Sequence, residues 1–161
     1  MTSFPFLPKN IKQKTMAFKQ ASLDNPGKKV MCFGSFDVFH KGHEYFLSTS
    51  QSYGDNLFIV VARDINIQKI KNFIPHYTET ERQQEVQKAF STASVILGDK
   101  DDFYIPLKKY QPHIICLGYD QKANIEKIKK HCPQVKIIRI APYHPEKYKS
   151  SLLKQEQKNK K

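Results

Sequence analysis

The chain has 161 residues, room for one domain with a sizeable core. At 39% hydrophobic and 26% charged it is neither disordered nor fibrous in composition, and no apolar run approaches the length needed to span a bilayer. The net charge of +12 favours anionic partners, and only the placement of the lysines can choose among nucleic acid, membrane surface and small phosphorylated substrates.

Residues 1 to 27 carry no sustained period, contain Pro5, Pro8 and Pro26, and close on the turn signal Asn25-Pro26-Gly27. They read as an extension preceding a domain at 28–154. The stretch lacks the apolar core of a signal peptide, so a cytoplasmic protein is expected. From Lys29 short apolar runs alternate with helical segments. The runs are Val30 to Phe33, Leu57 to Ala62, Val95 to Leu97, Ile114 to Leu117 and Val135 to Ile140. Near-continuous apolar character fits strands covered on both faces, and the long intervals fit helical crossovers. Helices are predicted at about 42–53, 79–90, 102–110, 123–131 and from about 149, with Thr78 and Glu81 capping the second. The result is a five-stranded, doubly wound α/β fold with a parallel sheet and helices on both faces. Residues 155–161 read as a basic tail. Cys32, Cys116 and Cys132 have no C-x-x-C spacing and read as buried thiols.

The turn after the first strand, Phe33-Gly34-Ser35-Phe36-Asp37-Val38-Phe39-His40-Lys41-Gly42-His43, concentrates the chemistry. His40 and His43 set ring N–H donors beside the unpaired backbone N–H groups of a helix start, a place suited to phosphate. Gly34 and Gly42 allow a tight turn and close approach to a ligand, and Asp37 can fix the turn by bonding loop backbone. Zinc on His40, His43 and Cys32 would need further ligands, which nothing nearby supplies. In a Rossmann-like strand order 3-2-1-4-5, strands one and four adjoin where the winding reverses. This turn and Gly118-Tyr119-Asp120-Gln121 after strand four then face one crevice. Glycine there admits a base or ribose, Asp120 accepts hydrogen bonds, and Tyr119 offers a stacking face. The loop Gly98 to Asp102 lacks the spacing of a calcium loop and reads as a capped entry to a helix.

The H-x-G-H element resembles the signature of the cytidylyltransferase-like nucleotidyltransferases, in which both histidines contact the phosphates of a nucleoside triphosphate. That resemblance covers about residues 29 to 154. It implies nucleotide contacts at Phe33, Gly34, Ser35, Phe36, Asp37 and Gly42, and charge stabilisation by His40 and His43. In the glycerol-3-phosphate cytidylyltransferase and archaeal FAD synthase branches a lysine-bearing loop follows strand two and an arginine lies on the next helix. Lys69 matches as a catalytic charge, and Lys71 and Arg82 as acceptor-binding groups; taken alone, the lysines are a solvated basic loop. The segment Gly118 to Gln121 looks like the "GYDQ" of the archaeal FAD synthases. Ser150, Ser151 and Lys154 resemble the family's serine-rich helix start, contacting the β- and γ-phosphates. The arginine usual before that serine pair is missing from Pro142-Tyr143-His144-Pro145, with Arg139 or Lys147 as substitutes, and Leu152 departs from a usually basic position.

The resemblance implies adenylyl transfer from ATP to FMN, with magnesium on the triphosphate and its protein ligands unknown. The runner-up is a cytidylyltransferase using CTP and glycerol 3-phosphate or a similar polar acceptor. An isoalloxazine would be flanked by some of Phe36, Phe39, Phe103, Tyr104 and Tyr119. A basic nucleic-acid-binding module without turnover is the reading from another class. It is disfavoured because the lysines group near strand ends and termini instead of forming a stripe. Dimerisation is implied by the resemblance alone.

Overall fold

The computed structural model describes residues 27–149 together with Leu152, Leu153, Gln155 and Glu156. The expectations for residues 1–26 and for Ser150, Ser151 and Lys154 lie outside the described residues. Five strands, β1 (Lys29–Gly34), β2 (Asn56–Val61), β3 (Ser94–Leu97), β4 (Ile114–Leu117) and β5 (Lys136–Arg139), form one sheet in the order β3-β2-β1-β4-β5. All four pairings are parallel, with Cys32 opposite both Ile59 and Cys116 at the centre.

Alternation along the strands divides the core in two. Val30 and Cys32 of β1 join Ile59 and Val61 of β2 on one face, and Met31 and Phe33 join Val60, Ile115 and Leu117 on the other. Helices α1 (Lys41–Gln51) and α3 (Glu79–Ala89) cover the first face through Leu47 and Val86. Helices α4 (Ile105–Tyr110) and α5 (Ile125–His131) cover the second through Leu107 and Ile128. Both faces being buried is why the strands are apolar at nearly every position. All three cysteines are buried free thiols. Among the described residues no helix is long and apolar enough to cross a membrane.

Two elements differ from expectation. The segment after β2, expected to be a loop, is helix α2 (Asp64–Lys71), and Lys69 and Lys71 lie in its last turn. Its N-cap Arg63 makes no side-chain cap bond; the free N–H of Asp64 is met by Glu79 Oε2 at 2.8 Å instead. The cap therefore comes from the start of α3, and no local sequence signal announces it. Helix α4 starts at Ile105, not near 102. Asp99 Oδ1 accepts from the N–H groups of Asp101 and Asp102, and Asp102 Oδ1 from that of Tyr104. These carboxylates hold the chain in turns up to the helix. The loop is the capped helix entry that its composition implies.

Candidate active site

His40 is the N-cap of α1, in extended conformation (φ −143°, ψ 173°), and its Nδ1 accepts from Gly42 N–H at 3.0 Å. His43, at the third helical position, returns the bond: its Nδ1 accepts from His40 N–H at 3.3 Å. This is a capping box in which two imidazoles replace the usual hydroxyl and carboxylate. With both Nδ1 atoms accepting, each neutral ring carries its proton on Nε2, which fixes both as Nε2–H donors. The rings stack with centroids 3.7 Å apart. Partial burial pushes the His40 pKa below the ordinary 6.5, favouring the neutral donor.

Gly42 makes this packing possible, since a Cβ there would stand 2.8 Å from His40 Cε1 and 3.0 Å from the Tyr148 carbonyl oxygen. Gly34 has a steric role as well, as a Cβ would meet the Phe36 ring at 2.7 Å. The left-handed residues of the turn are not glycines. Phe36 (φ 50°) and Val38 (φ 52°) occupy that region, and for a β-branched valine this is strained backbone.

The strain is held by the residue between them. Asp37, 1% exposed, accepts from the backbone N–H groups of His76 (2.9 Å) and Tyr77 (3.1 Å), just before α3. It fixes the turn as expected, but by reaching a segment distant in sequence, and its carboxylate faces protein backbone. The carboxylate expected to contact nucleotide is engaged with these backbone N–H groups and positions the turn. Arg82, expected to bind the acceptor, is 1% exposed, and its guanidinium donates to the carbonyls of Ser35, Ala62 (2.8 Å) and Tyr77 (3.1 Å) and to Asp64 Oδ1 (2.6 Å). It clasps the ends of β1 and β2 and the segment before α3. Asp64 and Glu79 also cap each other's helices, Glu79 N–H donating to Asp64 Oδ2 at 3.1 Å.

At the end of β4, Gln121 links two strands: its Oε1 accepts from Gly118 N–H (3.1 Å) and its Nε2 donates to the Phe33 carbonyl (3.1 Å). Arg139 donates to the carbonyls of Gly118 (2.7 Å) and Gln121 (2.9 Å). Both side chains shape the loop: Gln121, expected to contact nucleotide, bonds Gly118 and Phe33, and Arg139, considered as a substitute for the missing arginine, is engaged with two loop carbonyls. Tyr119 and Asp120 remain exposed on the cleft wall. Lys147 sits over the Tyr148 ring at 5.3 Å.

These turns surround one cleft of about 1740 Å³ at the carboxyl ends of the strands, lined by His40, His43, Lys69, Lys71, Tyr119 and Asp120 among others. Phe33, Gly34, Ser35 and Phe36 contribute to its floor, though Phe33 and Phe36 are buried. A family model described as cytidylyltransferase-like matches residues 31–156, the span that builds the sheet and this cleft. The chain belongs to the cytidylyltransferase-like family. Among cytidylyltransferase-like relatives, the FAD synthase of Methanosarcina mazei is 38% identical over 117 residues, covering 70% of this chain and 76% of that protein. The FAD synthase of Aciduliprofundum boonei is 37% identical over 119 residues, covering 71% and 79%. A solved structure described as the lipopolysaccharide core biosynthesis protein from Thermoplasma volcanium superposes with a TM-score of 0.66 at 34% identity, covering 73% of this chain and 98% of that one.

Several residues of this cytidylyltransferase-like cleft escape a reading by motif. Tyr143 and Tyr148 stack on each other (5.8 Å) and extend towards Tyr45 and His40, so the segment after β5 roofs the histidine pair. Arg63 pairs with Glu79 at 3.2 Å, while its buried Nε has no protein partner among the described residues. Ile70, Phe73 and Ile74 also line the wall. The tyrosines could have been noticed by their number in a short stretch. For the isoleucines no signal was available, because apolar residues are expected inside. Of the aromatics considered for a flavin ring, Phe36 is core, Phe39 stacks on His43, and Tyr104 packs on the second core cluster; Phe103 and Tyr119 are exposed at the cleft.

Proposed function

We propose that this protein is an FMN adenylyltransferase, joining ATP and FMN to give FAD and pyrophosphate. The observation that carries the reading is the reciprocal His40–His43 cap, which engages both Nδ1 atoms as acceptors and sets the two rings side by side on the wall of the cleft at a helix N-terminus. The cleft exceeds the roughly 300–1,000 Å³ of a single-ligand pocket, as a site for two substrates requires. The similarity to FAD synthases supports the choice of substrates.

In the proposed reaction a phosphate oxygen of FMN attacks the α-phosphorus of ATP. A P–O bond forms, the bond from the α-phosphorus to the bridging oxygen breaks, and pyrophosphate leaves with that electron pair. A phosphate monoester, with a second pKa of about 6, is already a dianion at neutral pH, so no general base is needed. Catalysis then consists of positioning and charge stabilisation. His40 and His43 donate to the α/β-phosphate region, Lys69 offsets developing charge, and Lys71 meets the acceptor phosphate. Tyr119 and Asp120 take the base and ribose beside Gly118. Ser150, Ser151 and Lys154 are assigned to the β- and γ-phosphates, and the catalytic domain to residues 28–154. Magnesium would ride on phosphate oxygens; no group of three metal-ligating side chains lies together among the described residues.

The test is pyrophosphate release with magnesium, crossing ATP and CTP against FMN and glycerol 3-phosphate. Release only with ATP and FMN, with FAD appearing, is expected. Preference for CTP and the small acceptor would keep the fold and move the protein to the cytidylyltransferase branch.

A further inference from the structure

Ile70 and Ile74 are each 78% exposed, the most exposed large apolar side chains among the described residues, and both line the cleft that holds the histidine pair. Ile67, one turn earlier on α2, is 3% exposed and anchors the helix inward. The helix ends at Asn72, whose left-handed conformation (φ 53°) reverses the chain and brings Ile74 onto the wall that Ile70 begins. Just beyond, Asp37 and Arg82 pin residues 76 and 77. The two isoleucines therefore form an apolar ledge on a firmly tied segment. Leaving such side chains in water forfeits the gain of burying them, and apolar surface beside reacting groups marks a place that something covers.

The lysines identify the occupant. Lys69 and Lys71 flank Ile70 and line the same wall, so cationic and apolar surfaces alternate within a few residues. A matching ligand carries an anion at one end and a flat apolar body at the other. A small polar phosphate has the first without the second, and nucleic acid would call for a longer basic track. We propose that the Ile70–Ile74 ledge is the subsite for the tricyclic ring of FMN, with the neighbouring lysines attracting its phosphate into the cleft. This rests on the FMN reading of the same cleft and makes the ledge a determinant of acceptor choice.

The test is the double variant Ile70→Ser/Ile74→Ser, which touches no buried side chain. The KM for FMN is expected to rise about tenfold or more, with the KM for ATP and kcat at saturation within about twofold of wild type. Riboflavin, which has the ring but no phosphate and needs no turnover, probes the ledge alone. Its fluorescence quenching by the ATP-loaded wild type should weaken in the variant by a similar factor. Equal riboflavin binding and equal FMN KM in the two proteins would overturn the inference. So would a change in sedimentation with riboflavin binding intact, which would make the ledge a contact between copies of the chain. Absence of FAD formation by the wild type would count against the adenylyltransferase reading, while the riboflavin comparison would still decide the ledge.

Discussion

Replacing Arg82 by methionine separates a clasp from a substrate contact, and the structure gives the size of the effect. The guanidinium donates to three carbonyls and one carboxylate. The Asp64 side chain is 40% exposed, so its charge is partly solvated already and its loss of a partner counts for about 1 kcal/mol at most. The carbonyls weigh more, because a buried acceptor left without a donor costs about 1–3 kcal/mol. Ser35 and Ala62 line the open cleft and Tyr77 is exposed, which puts each near the lower end of that range. The sum is about 3–4 kcal/mol, a large share of the 5–15 kcal/mol that holds a typical domain together, and roughly 10–15 °C in Tm. The assay is thermal and urea unfolding of wild type, Arg82→Met and Arg82→Lys, with FAD formation measured below the lowest transition. Lysine keeps the charge but not the planar fork, so an intermediate loss is expected. Activity in Arg82→Met should fall with both substrates, since the clasp sets loops on both sides of the cleft. A Tm within 2–3 °C of wild type, where surface changes normally fall, combined with a selective rise in the KM for FMN, would refute the clasp and restore Arg82 as an acceptor ligand.

Other outcomes follow from the histidine cap. His43→Ala removes one aimed donor and the acceptor for His40 N–H; kcat should drop by about 10²–10³-fold, with only about 1 kcal/mol lost in urea unfolding. Gly42→Ala should lower Tm, because the Cβ would stand 2.8 Å from His40 Cε1 and 3.0 Å from the Tyr148 carbonyl oxygen, and disturbing the His40 cap costs as much as the roughly 1 kcal/mol that alanine gains over glycine in a helix. Its Cβ must displace the His40 ring by several tenths of an ångström, so turnover should fall by about tenfold or more, and unchanged turnover would show that ring placement is not critical. His40 should titrate below 6.5 by NMR. The folded protein keeps it neutral where the unfolded chain starts to take up a proton. Stability from this residue is therefore full above about pH 6.5, declines as pH falls towards the lower folded value, and is flat below it. His40→Gln should flatten that part of the stability profile, and a steeper acid slope in the variant would contradict the assignment. The three buried thiols should react with a disulfide reagent only on unfolding; rapid modification of the native protein would disprove their burial.

The strands and the turn after β1 were legible in the sequence because they rest on local signals, and the sheet order followed from the Rossmann-like pattern that such alternating elements adopt. Unbroken apolar runs such as Ile114 to Leu117 mark strands buried on both faces, and H-x-G-H marks a helix start. What was not legible depends on partners distant in the chain. Helix α2 takes its cap from Glu79, and Asp37 spends its carboxylate on His76 and Tyr77. Gln121 reaches back to Phe33, and Arg82 reaches Ser35 across 47 positions. An arginine near a phosphate site invites a substrate role when only its neighbours in sequence are visible; its burial and its backbone partners are tertiary properties that the sequence does not display. The turn after β1 was placed correctly, yet its left-handed positions fall on Phe36 and Val38, where side-chain identity gave no hint of the conformation.

The clasp has an asymmetry with consequences for how such a site can diversify. Apart from Asp64, its acceptors are backbone carbonyls, which any amino acid at 35, 62 or 77 would supply. Only the donor demands a particular side chain. Side chains at these three positions, two of them on the cleft wall, can thus be exchanged while the spacing between their segments stays fixed by position 82. A scaffold wired in this way can acquire a new acceptor pocket by point substitution without having to rebuild its frame.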